Sequence, residues 1–137
     1  MQSQEIENKH RGLVLSQPDS VIKVRFTYIE AIRQSDTHFT DIEYPVDMNL
    51  GEAVRKLDGT AVIQFSLRVA TNPNIAVFAV KGEATLKGSV ETVQKLTIPE
   101  KNSPPPIWRE IYQEAIATIT FLARFLEIPP PPIISSA

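Results

Sequence analysis

Apolar and polar residues alternate along four stretches of this chain, and then the period changes. Ile22, Val24, Phe26 and Tyr28 alternate with Lys23, Arg25 and Thr27, the two-residue period of a strand with one buried face. Ile42, Tyr44, Val46, Met48 and Leu50 form a second set, with Asp41, Glu43 and Asp47 between them. Pro45 cannot donate to a ladder, so this strand belongs at an edge or carries a bulge. After a turn at Asp58-Gly59, Ala61, Ile63, Phe65, Leu67 and Val69 form the third set. Ala76, Phe78, Val80, Ala84 and Leu86 form the fourth, with Gly82 on the apolar side, where it leaves room for a neighbouring side chain. Thr71-Asn72-Pro73-Asn74 is a dense turn signal between the last two. Four strands joined by short links predict an antiparallel, meander-like sheet.

The period then lengthens to that of a helix. Prolines at 104, 105 and 106 disfavour helix before them and suit a first helical position. The helix is expected from Pro106 to about Glu127, with Pro129 stopping it. Trp108, Ile111, Ala115, Ile119, Leu122 and Leu126 make one apolar stripe that would lie on the sheet. Ile116, Phe121 and Phe125 fall outside that stripe, so the helix is apolar over a wider arc than one sheet face should cover. An arc of that width asks for a second partner. Trp108, Ile116, Phe121 and Phe125 are therefore the candidate peptide- or partner-binding residues, and Trp108 with Tyr112 is also a candidate pocket wall.

This gives an α+β fold: a four-stranded antiparallel sheet followed by one long C-terminal helix packed on it. Residues 1–20 form an arm without sustained periodicity, 21–128 the single domain, and 129–137 a proline-rich extended tail. Charge adds little. The net charge of −2 and scattered Lys and Arg give no basic footprint for nucleic acid. No apolar run approaches the roughly eighteen residues that span a bilayer, and the polar opening MQSQEIENKHRG has no signal-like apolar stretch. A cytoplasmic protein, without membrane insertion, is expected.

Candidate chemistry is sparse. The chain has no cysteine, which removes disulfides, thiolate metal sites and a Cys nucleophile. His10 sits in the polar arm. His38 lies among Asp36 and Asp41 without a second histidine, where a metal or acid–base centre needs several converging groups. The five glycines show no phosphate-cradling spacing. Carboxylate pairs such as Asp41 with Glu43 alternate onto the solvent side of strands. No catalytic residue, metal ligand or cofactor is assigned.

The order of four alternating strands, a proline-rich loop and one apolar helix resembles the SecB-like fold of the SecB export-chaperone family. Pro106-Ile107 is similar to that family's approach to the helix, Glu114-Ala115-Ile116 to a step within it, and Ile128-Pro129-Pro130-Pro131-Pro132-Ile133 to its exit. The family continues from there into a second helix, whereas this sequence ends at Ala137. The resemblance implies a dimer or tetramer of the chain with itself, holding unfolded polypeptide clients along apolar grooves. The same fold also guards antitoxins in some toxin systems. Two other readings stay open: an assembly subunit whose apolar helix is buried in a homo-oligomer or dedicated partner, and a small enzyme or ligand-binding protein with a pocket between helix and sheet.

Overall fold

The computed structural model describes residues 21–132. The arm at 1–20 and the tail beyond Pro132 lie outside the described residues. The elements are β1 (Val21–Arg33), β2 (Val46–Leu50), β3 (Val54–Arg55), β4 (Ala61–Ala70), β5 (Ala76–Lys87), α1 (Val90–Thr97) and α2 (Pro106–Phe125). The fold is α+β, with all strand pairs antiparallel and the long helix last, as the periodicity predicts.

The strand order is β1-β5-β4-β2, with the two-residue β3 also on β4. A meander holds for β2, β4 and β5. Strand β1 departs from it, crossing to the far edge beside β5 instead of pairing with β2. Length decides this. The 13 residues of β1 match the 12 of β5, whereas β2 has five. Pairing the long strands satisfies far more backbone donors and acceptors. Strand β2 is an edge strand, with Pro45 just outside its first residue.

Gly82 sets how β1 meets β5. It faces Phe26, and a Cβ placed on it would lie 2.1 Å from the Arg25 carbonyl oxygen and 2.9 Å from both Phe26 Cα and Phe65 Cζ. The space is taken by a neighbouring backbone as well as by a ring. Phe26 and Phe65 meet edge to face across it, with ring centroids 5.9 Å apart. Beside this contact β1 carries a bulge between Phe26 and Tyr28, which switches the face each later side chain takes. Tyr28 therefore pairs with Lys81 on the polar face, with the ammonium 5.3 Å from its ring centroid. Simple alternation would have put it on the helix side. Ile29, Ala31 and Arg33 take the helix side instead, opposite Val80, Phe78 and Ala76.

Strands β4 and β5 form the hairpin expected at Thr71–Asn74. The buried Thr71 hydroxyl oxygen accepts from the Ile75 and Ala76 amides at 2.9 and 3.1 Å, tying the turn to the strand it begins. Helix α1 has no counterpart in the sequence reading, because two turns give too few repeats to register. Its signal is local. Ser89 caps it, accepting from the Thr92 amide at 3.1 Å, and Val93 is buried with Ile107 and Ile111.

Helix α2 lies along the central strands. Its first half joins Ala61, Ile63, Leu86 and Val93, and its second half joins Leu67, Val69, Phe78 and Val80. Burying side chains of this size contributes about 1.5–3 kcal/mol each. Pro106 opens the helix, and it ends after Phe125. There Arg33 of β1 donates to the carbonyls of Leu126 and Glu127, groups that otherwise lack a partner at a helix end.

The Gly82 contact yields a direct test. Gly82→Ala should cost about 3 kcal/mol or more by forcing β1 away from β5. Gly51→Ala, whose new Cβ would meet nothing nearer than 3.5 Å, should stay within about 0.5 kcal/mol. Urea unfolding measures both, and equal midpoints for the two variants would contradict the role given to Gly82.

Candidate partner-binding surfaces

The four candidate residues on α2 separate into three situations. Ile116 is 8% exposed and belongs to the cluster of Tyr112, Ile119, Ala123 and Ile128. The sequence reading placed it outside the covered stripe. The correction is that the apolar cluster on this side of α2 extends beyond the sheet stripe: it holds Ile116 and, through the Ile128 amide's return to the Ala123 carbonyl, Ile128, with Tyr44 and Val46 packed against it. The covered arc is thus wider than the sheet alone would make it. Ile116 offers a partner almost no surface in this fold.

Phe121 and Phe125 remain 56% and 68% exposed. Their rings meet edge to face at 5.1 Å, one turn apart on the helix. At about 100° per residue, Phe121 points about half a turn away from Tyr112. Tyr112 stands on the β2 side, where it lines a groove with Tyr44 and Val46. Phe121 and Phe125 therefore point away from the Tyr112 groove, on the outward face of α2. Ile29, on the helix face of β1, is 50% exposed. Strand β1 is itself an edge, its outer ladder groups unpaired among the described residues. Two exposed phenylalanines on the outer face of α2, and an exposed isoleucine on a 13-residue strand that is an edge among the described residues, are the apolar surfaces left on this side of the groove.

Trp108 is half-buried on the other flank. Its ring stacks on Tyr112 with centroids 4.8 Å apart and 10° between the planes. Together with Tyr44, Val46 and Pro104–Pro106, this pair lines a cavity of about 800 Å³. The Tyr44 hydroxyl donates to the Pro129 carbonyl. Burial raises the phenol pKa of both Tyr44 and Tyr112 above the usual value, so both rings are neutral hydrogen-bonding groups at ordinary pH. Trp108 and Tyr112 were legible as a possible pocket wall. Tyr44 was legible only as one more alternating strand residue, since nothing in the sequence brings residue 44 to residue 112.

His38 is exposed in the link between β1 and β2. Among the described residues no group of three or more His, Asp or Glu is placed to hold a metal ion, and no helix is long and apolar enough to cross a membrane.

No family model matches the chain, and no curated protein matches it. Among solved structures it is similar to that of the Mycobacterium tuberculosis Rv1957 SecB-like chaperone in complex with a ChAD peptide from the Rv1956 HigA1 antitoxin. The TM-score is 0.65 at 10% identity, over 87% of this chain and 91% of that one. The likeness shows a SecB-like fold.

Exposure and burial on α2 predict opposite responses to truncation. Phe121→Ala and Phe125→Ala should each change stability by no more than about 1 kcal/mol, whereas Ile116→Ala should cost about 2–4 kcal/mol. Urea denaturation of the three variants distinguishes them. Binding of a hydrophobic dye to the folded protein should fall for the phenylalanine variants.

Proposed function

We propose that this protein binds extended, unfolded segments of other polypeptides without catalysing a reaction, as a SecB-like chaperone of the cytoplasm. The observation that carries this reading is the exposed Phe121–Phe125 pair on α2, in a fold whose β1 is a sheet edge among the described residues. An extended segment can add to a strand edge through its backbone, whatever its sequence, while its apolar side chains cover neighbouring rings. Such recognition suits clients that share only a lack of structure. A phenylalanine carries about 150–250 Å² of surface, so covering the exposed parts of two contributes on the order of 5 kcal/mol before ordering costs. Ordering an extended client and losing its translational freedom offset much of that. The resulting hold is weak per site and easily released, as a holding protein requires. The structural neighbour is described as a SecB-like chaperone in complex with a peptide, which agrees with this reading.

Self-association is the second reading, and a specific feature favours it. Tyr28, Ile29 and Ile32 are 43–50% exposed along β1, so both faces of this edge strand offer apolar surface beside an open ladder. A second copy paired along β1, giving a dimer or tetramer, would cover that edge.

Suppression of the aggregation of a chemically unfolded client, followed by light scattering, tests the first reading. Phe121→Ala and Phe125→Ala should each weaken suppression several-fold, and the double substitution should abolish most of it. Variants that protect as well as the parent would overturn the reading. Tight oligomers that bind neither client nor hydrophobic dye would favour the assembly subunit instead.

A further inference from the structure

We propose that the groove between β2 and the start of α2 binds a proline-rich segment in the polyproline II conformation, supplied by another chain. This site lies on the flank opposite Phe121 and Phe125 and does not rest on the chaperone reading. Polyproline II has three residues per turn and no internal hydrogen bonds, so its carbonyls await donors and its rings offer flat apolar faces. Proteins that recognise it use grooves walled by aromatic side chains with a hydroxyl or indole donor at hand.

Four observations converge on that ligand. Trp108 and Tyr112 are stacked nearly parallel, and together with Tyr44 and Pro105 they wall the groove with flat rings. The Tyr44 hydroxyl already donates to the carbonyl of Pro129, the first of four consecutive prolines, and Pro131 of the same run is buried. The fold thus makes at one wall of the groove the contact that a proline-rich ligand would make along it. Tyr44, Val46 and Trp108 all line the cavity, whose volume of about 800 Å³ falls within the range of ligand sites. Its charged lining consists of Glu100 and Arg109, one of each sign, so an uncharged proline run matches the groove better than an acidic or basic peptide.

Trp108 is the only tryptophan in the chain, so its emission reports occupancy of the groove. Titration of the full chain with decaproline should give a saturable change in emission. The apparent affinity should be at least about tenfold tighter than for a glycine-serine decapeptide or an apolar decapeptide lacking proline, as expected when aromatic anchors carry most of the binding. With labelled decaproline read by anisotropy, Trp108→Ala should lose at least about tenfold in affinity, while Phe121→Ala with Phe125→Ala should leave it unchanged. No response, or equal responses to all three peptides, would overturn the proposal. A response found only after truncation following Pro132 would also overturn it, making the chain's own C-terminal segment the occupant. Emission that shifts with protein concentration alone would assign the groove to a second copy. A parent chain that binds decaproline but never protects an unfolded client would count against the chaperone reading alone.

Discussion

One helix has to close the apolar face of a sheet four strands wide. A helix with its side chains is about 10–12 Å across, and neighbouring strands lie about 4.7–4.9 Å apart. A single helix laid along the strands therefore covers about two of them fully. The burial follows this width. On the central strands β4 and β5, Leu67, Val69, Phe78, Val80 and Leu86 are enclosed. On the edge strands, Ile22, Val24 and Phe26 of β1 and Val46, Met48 and Leu50 of β2 are only half-buried on the same face. On the helix face of the sheet, what stays half-open among the described residues lies along the two sides of α2.

The two sides differ in chemistry because the helix meets them with different residues. On its outer face it presents Phe121 and Phe125, without walls, and β1 is a sheet edge among the described residues. Towards β2 it presents Trp108 and Tyr112, and Tyr44, Val46 and the three prolines before the helix turn that side into a walled groove. Exposed apolar rings and an edge ladder suit recognition that is blind to sequence. A walled aromatic groove with a hydroxyl suits recognition of a particular backbone shape. Helix α1 and the returning Ile128 close the ends of the core, and Arg33 holds the last turn of α2 against β1. The position of the phenylalanine pair is thereby fixed by the fold.

Much of this was legible in the residues. Two-residue alternation located the four principal strands, and the change to helical spacing after Pro104–Pro106 located α2 almost to its last turn. What escaped depended on contacts distant in sequence. The pairing of β1 with β5 rests on matching lengths and on Gly82 admitting the Arg25 carbonyl, which no local pattern records. The bulge after Phe26 moved Tyr28 to the opposite face, because one extra residue inverts a period-two pattern. Ile116 was misplaced because the cluster it joins draws in residues distant in sequence, Tyr44 and Val46 among them. Phe121 and Phe125 were read correctly as uncovered, since a helical stripe shows from sequence alone which side chains lie farthest from it.

The central claim, that unfolded polypeptide settles on the Phe121–Phe125 flank, is most directly tested with fluorine-labelled phenylalanine. The chain has six phenylalanines, and they range from fully buried Phe78 to largely exposed Phe125. On addition of an unfolded client, the fluorine resonances of Phe121 and Phe125 should shift and broaden while those of Phe65 and Phe78 hold still. Resonances of Phe121 and Phe125 that stay fixed while the client is bound would contradict the account.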